Sequence, residues 1–124
     1  MKTAIYPTRK TWNRYDNDRY LLYLNEQIID DYVPENDQEA IPAIGYSYTG
    51  TEEDGGTLIY ATDATYEKFV SGLIRTRYSA DQVEAILLNV QSENTERQAE
   101  FQLELTQLNN FREECKGIAS ALLQ

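Results

Sequence analysis

The residues best able to do chemistry in this chain cluster in one run, Tyr46-Ser47-Tyr48 followed by Glu52-Glu53-Asp54. Tyrosines beside carboxylates occur in sugar-stacking platforms, in protein-docking surfaces and in weak oxygen-ligand sites for hard cations. Tyr46, Tyr48, Glu52, Glu53 and Asp54 are therefore the candidate surface of the first half. A plain hairpin tip on a sheet of half-buried tyrosines accounts for the same residues and is the first choice. A second acidic run, Asp16-Asn17-Asp18, begins like a calcium loop. Its spacing then fails: after Arg19, Tyr20 stands where a ligand is needed and no glycine follows it, and Gln27 replaces the closing glutamate.

The vocabulary of catalysis is thin. Histidine is absent, which removes Ser-His and Cys-His nucleophiles, imidazole general bases and Cys/His zinc sites. Cys115, the single cysteine, can form no intrachain disulfide and falls on the apolar stripe of a helix, where a small buried hydrophobe is the ordinary role. The sequence has no Gly-rich phosphate loop, paired-cysteine motif or nucleophile elbow. A glycosidase needs two placed carboxylates, but 21 acids make any chosen pair uninformative. The reading is a protein that is not an enzyme, with no cofactor and no metal.

Charge is placed unevenly around a net of −10. Residues 1–15 carry Lys2, Arg9, Lys10 and Arg14 and no acid, whereas residues 16–63 carry twelve acids against Arg19 alone. An acidic belt of this kind opposes wrapping of a nucleic-acid backbone, which needs clustered Lys and Arg. It favours solubility, basic partners or cations, and a solvated acidic face is its simplest meaning. No apolar run is long enough to span a bilayer, and Met1–Ile5 lacks the apolar core of a signal peptide. The expectation is a protein with no membrane partner, kept in the cytoplasm or built into a virion from there.

The elements that must position these residues point to one α+β domain of 124 residues, β-rich over 3–61 and helical over 62–124. Thr3–Tyr6 reads as a strand, with Pro7 ending it and one helical turn after it, and Trp12 as the anchor of this arm. Tyr20–Leu24 and Gln27–Val33 suit a hairpin turning at Asn25-Glu26, with a short helix over 18–26 as the competing reading. Residues 34–42 form a charged loop. Gly45–Gly50 and Thr57–Ala61 read as a second, clearer hairpin around the glycine-bearing turn 51–56. Eight of the ten tyrosines precede residue 61, giving a small antiparallel, tyrosine-rich sheet.

The helical half carries the strongest pattern. Tyr66, Phe69, Val70, Leu73 and Ile74 fall on one helix face, with Asp63 as the expected N-cap. Ser79-Ala80-Asp81-Gln82 is a capping box that opens a second helix, with Tyr78 able to staple onto Val83 and with Val83, Ile86, Leu87 and Val90 on its apolar face. These two faces are read as core, with a groove for a partner helix as the second choice. Thr95–Gln98 offers another capping box. Phe101, Leu105, Leu108, Phe111, Cys115, Ile118 and Leu122 then repeat at about 3.5 residues, as in a coiled-coil seam. A helix from Thr95 to Leu123 would be about 43 Å long, longer than the roughly 35 Å diameter of a compact chain of this size. Phe101, Leu105 and Leu108 are accordingly a second candidate interaction surface, for a partner or for self-association into an oligomer.

Three segments, Tyr46–Ile59 (YSYTGTEEDGGTLI), Leu73–Leu88 (LIRTRYSADQVEAILL) and Asn109–Ala119 (NNFREECKGIA), resemble a group of small uncharacterised proteins encoded in phage and prophage regions of Bacteroides-type gut bacteria. The resemblance covers about half of the chain and brings no functional residues with it. It implies a genomic setting near phage structural genes rather than an activity. Together with the thin catalytic vocabulary and the seam-like stripe, it leads to the expectation of a non-enzymatic phage structural or assembly protein, tail-associated, acting through protein–protein contacts with other phage structural proteins or with itself. Two further readings remain: a carbohydrate- or cation-binding module using the Tyr46–Asp54 run, and an acidic decoy that mimics nucleic acid through the 16–63 segment.

Overall fold

All strands precede residue 61 and all helices follow it, so the chain is α+β, as the patterning predicts. The computed structural model describes residues 1–34, 41–93 and 95–124; most of the expected charged loop at 34–42 lies outside them. Met1–Tyr60 and Ala61–Gln124 each form a compact unit.

The described residues of the first unit form six strands: β1 (Lys2–Tyr6), β2 (Trp12–Arg14), β3 (Arg19–Leu22), β4 (Gln27–Tyr32), β5 (Ala43–Gly50) and β6 (Thr57–Tyr60). They make two antiparallel three-stranded sheets, ordered β1-β5-β4 and β2-β3-β6, where a single sheet was expected. Neither expected hairpin exists. β3 and β4 belong to different sheets, as do β5 and β6. A tight two-residue hairpin turn of type I′ needs φ > 0 at both central residues, and of Asn25-Glu26 only Asn25 has it (φ 56°). The chain therefore turns out of one sheet into the other. Residues 51–56 do the same through a corner closed on itself, with Gly55 N–H donating to the Glu52 carbonyl (3.0 Å) and Glu52 N–H to that of Gly56 (2.9 Å). Trp12 lies in a strand and not a helical turn, its ring edge-on to Tyr20 at 5.6 Å.

Strand alternation decides which side chains are covered. The pairings Trp12↔Leu22, Leu22↔Thr57 and Tyr20↔Ile59 put these five residues on one face of the second sheet. Tyr20, Leu22, Thr57 and Ile59 are all buried there. In the first sheet the register Tyr6↔Tyr46 and Ala4↔Tyr48 puts Tyr6, Tyr46 and Tyr48 on a common face.

The second unit is helical: α1 (Tyr66–Ile74), α2 (Ala80–Val90), a 3-10 turn (Thr95–Arg97) and α3 (Gln98–Leu122). α1 starts later than expected because Thr65, not Asp63, is the N-cap; the Thr65 hydroxyl instead donates to the Asp63 carboxylate at 2.8 Å. The Ser79–Gln82 capping box forms in both directions, at 2.7 and 3.1 Å. The Thr95 side chain of the expected Thr95–Gln98 box lies outside what is described; the N-cap of α3 is Arg97, and the Gln98 amide reaches back to the Ser92 carbonyl at 2.8 Å. Tyr78 sets its ring against Phe111 at 5.9 Å.

α3 runs unbroken through Gly117 for 25 residues, about 37 Å, and packs on both α1 and α2. Its seam is therefore used inside the unit: Phe101, Leu108, Cys115 and Ala119 are buried.

Two glycines give opposite expectations. Gly55 has φ +82°, and a Cβ there would lie 2.6 Å from the Tyr48 carbonyl oxygen. Gly55→Ala should therefore cost about 2 kcal/mol. Gly117 lies within a helix, and a Cβ there would meet nothing within 4 Å, so Gly117→Ala should gain up to about 1 kcal/mol. Urea unfolding measures both, and equal effects of the two substitutions would contradict the geometry.

Candidate functional site

Three tyrosines of the first unit, Tyr6, Tyr23 and Tyr48, converge where the chain changes sheets. Three segments make the crossings: Pro7–Thr11 between β1 and β2, Tyr23–Glu26 between β3 and β4, and Thr51–Gly56 between β5 and β6. Each contributes to one cluster. Tyr48, 1% exposed, donates its hydroxyl to Glu26 (2.7 Å) and accepts the Lys10 backbone N–H (2.8 Å). Tyr23, also buried, donates to Asp54 (2.8 Å) and accepts from the Asn13 amide (3.1 Å). The Tyr6 hydroxyl donates to the Asp54 carbonyl at 2.5 Å. The Lys10 ammonium stands 4.3 Å from the centre of the Tyr6 ring and 4.6 Å from that of Tyr23, a cation held against two electron-rich faces. Tyr23 and Tyr48 meet edge to face at 5.7 Å.

These contacts fix the ionisation of the cluster. Burial, then the bond to Asp54, pushes the Tyr23 phenol up to about 12. Burial does the same for Tyr48, also to about 12, helped by the Glu26 bond against the Lys10 amide. Burial and the Asp54 charge raise Tyr6. All three are neutral donors at ordinary pH.

The candidate residues of the Tyr46–Asp54 run do not form a shared open surface. Tyr48 is buried. Asp54 accepts from Tyr23 on one oxygen and from the Gly56 N–H (2.9 Å) on the other. Glu53, with its side chain 87% exposed, pairs with Lys2 at 2.5 Å. Tyr46 lies under the Arg9 guanidinium at 5.2 Å, Arg9 itself being tied to Glu26 at 2.9 Å, and Glu52 is half-buried. No group of carboxylates, cysteines and histidines that could hold a metal ion occurs among the described residues. Asp16 instead closes the β2–β3 turn, accepting from Asp18 N–H and from Arg19, and the Arg19 bond holds its carboxyl below the usual range. The signal for Arg9, Lys10 and Glu26 as members of the cluster was weak: they are charged residues in connections, where solvation is the default.

In the second unit, Phe101 and Leu108 are each 4% exposed and Leu105 is half-buried. Cys115 is buried too, and burial pushes its thiol up to about 11, far from a reactive thiolate. Open apolar surface lies on α2. This helix has good N-terminal capping and a full apolar face, yet none of its residues is buried, and Leu87 remains 45% exposed. Beside it runs a groove of about 450 Å³. α1 supplies Tyr66, Val70, Ile74 and Arg75, α2 supplies Val83 and Leu87, and α3 supplies Leu108, Arg112 and Lys116. Val70 and Ile74, Val83 and Leu87, and Leu108 and Arg112 are each one helical turn apart, so the lining consists of rows running along the helices.

No protein family, curated protein or solved structure matches the chain. No helix among the described residues is long and apolar enough to cross a membrane.

The phenols set a pH limit on stability. A folded-state pKa raised above the unfolded value near 10 means that the folded chain holds its proton longer. Its stabilisation is then complete below about pH 10 and is lost as pH rises towards 12. Stability should fall over that window, and Tyr48→Phe should flatten the fall while costing about 1–3 kcal/mol at neutral pH by stranding Glu26 and the Lys10 amide. Urea midpoints at pH 8 and 11 measure this; a Tyr48→Phe chain as stable as the parent at pH 8 would refute the cluster.

Proposed function

We propose that this chain is a non-enzymatic assembly protein that acts by protein–protein contact through its helical unit, of the phage structural, tail-associated kind expected from the sequence. The observation that carries the reading is α2. An amphipathic helix of 11 residues with no buried residue leaves unrealised a packing gain of about 1.5–3 kcal/mol for each large apolar side chain fully covered. Tertiary packing of an apolar face is what normally holds such a helix in place. Leu87 and Leu88, 45% and 57% exposed, are what a partner would cover, next to a groove already shaped by three helices.

This moves the contact surface from where the sequence suggested it. Phe101 and Leu108 serve the interior of the unit, as do Phe69, Val70, Leu73 and Ile74 on α1, read as core and buried; the face of α2, read first as core, is where apolar surface stays open. The polar atoms of Tyr48, Glu53 and Asp54 are engaged with Glu26, Lys2 and Tyr23, which does not favour a sugar or a cation site along Tyr46, Tyr48, Glu52, Glu53 and Asp54.

A photo-crosslinking residue at position 88 tests the reading. In cells producing phage particles it should yield one discrete adduct with a particle protein, whereas the same residue at Gln102 on α3 should not. Matching patterns at the two positions would count against the helical unit as the contact surface.

A further inference from the structure

The rim of the groove between α1, α2 and α3 is cationic in a chain whose net charge is −10. Arg75 on α1 and Arg112 and Lys116 on α3 line it against a single acid, Glu67. Lys116 is engaged with Glu113 at 2.8 Å. Arg75 and Arg112 make no salt bridge among the described residues. Several other cations are taken up locally: Lys2 by Glu53, Arg9 by Glu26, Arg19 by Asp16, Arg97 by Glu100, and Arg77 against the Phe111 ring at 4.0 Å. Arg75 and Arg112, the latter beside Glu113, stand at a groove whose apolar floor is nearly covered at Val70 and Ile74 and open at Leu87, and their planar donor forks match carboxylates in two-point contacts.

The floor has the periodicity of a helix-packing surface. Val70 and Ile74 on α1 and Val83 and Leu87 on α2 are pairs spaced by four residues, the spacing of the ridges that interlock when helices pack. The apolar surface does not end at the groove, since Leu88 extends it along α2 at 57% exposure. A lipid tail calls for enclosure over most of its surface, whereas an open trough with an apolar extension suits a helix laid along it.

Resting on the contact function proposed above, we infer that the groove binds an acidic amphipathic helix of a partner protein. The partner's apolar row lies between Val70/Ile74 and Val83/Leu87, and its carboxylates meet Arg75 and Arg112. The partner is chosen by charge as well as by apolar fit. A basic helix of the same shape would set its cations against the two arginines and leave the partner's polar edge repelled.

Two synthetic helical peptides test this. Both carry leucine at i, i+3, i+4 and i+7; one has glutamates flanking that row and the other has lysines. They are titrated into the full chain by fluorescence anisotropy, with amide shifts mapped by NMR. The glutamate peptide should bind about tenfold or more tightly than the lysine peptide, with shifts centred on Val70, Ile74, Arg75, Leu87 and Arg112. In the Arg75→Glu/Arg112→Glu chain, checked for unchanged melting, the preference should invert. Equal binding of the two peptides, binding of neither, or a preference unchanged by the double substitution would overturn the inference. So would sodium oleate shifting the groove amides while neither peptide does. Should the position-88 adduct form while the peptides show no charge preference, the contact function stands and the acidic-helix inference falls. Loss of both removes the two together.

Discussion

Tyr48 is nearly sealed from solvent, yet its hydroxyl has to be hydrogen-bonded on both sides. A buried phenol left without partners costs about 1–3 kcal/mol, and this one is completed only when Lys10 and Glu26 arrive from two different crossings between the sheets. Tyr23 makes the same demand on Asp54 from the third crossing. The connections are thus held together by one set of hydrogen bonds and one lysine between two tyrosine rings. The two sheets share no backbone ladder; the cluster is what joins their connecting segments.

That arrangement explains which parts of the fold were legible. Strand positions followed from alternation and from tyrosine's preference for half-covered sheet positions, and β1, β3, β4, β5 and β6 lie close to where the pattern puts them. Pairing did not follow, because adjacency in sequence suggests hairpins unless something pulls the strands apart. Here the pull comes from Glu26 and Asp54, which read as solvated charges at turn tips. No local pattern tells a carboxylate at a tip from a carboxylate accepting a phenol 22 residues away. The helices were more legible, since a 3.6-residue period and a capping box are local signals. The α1 start was misplaced because Asp63 and Thr65 are both residue types that suit a cap, and here they bond to each other while the helix begins after Thr65 with no side-chain cap.

The candidate surfaces changed for the same reason. Exposure of a tyrosine or an acid is a tertiary property, so Tyr48 and Asp54 looked available and proved engaged. Phe101 and Leu108 showed the seam period of a helix seeking a partner, and that partner is within the same unit. Conversely, Tyr66 and Leu87 fit the core pattern of their helices, but each lies where its face runs out of neighbours. The groove was the second reading of these faces, and its rim was not visible at all. Arg75 and Arg112 are 37 positions apart, and only the packing of α1 against α3 puts them on one opening.

The chain therefore divides its labour. In the first unit polar groups are turned on one another, and the phenols are kept neutral by burial and by their carboxylate partners. In the second unit apolar surface stays open on α2, and Arg75 and Arg112 stand at the groove rim without a salt bridge among the described residues. The central claim is that the tyrosine cluster closes the crossings between the sheets, and the Lys10 backbone amide reports on it most directly. It lies outside every strand and helix, and its recorded acceptor is the Tyr48 hydroxyl. Amide hydrogen exchange followed by NMR should find it protected about 100-fold or more over a free peptide, in the manner of strand amides. Exchange at the free-peptide rate would contradict the account.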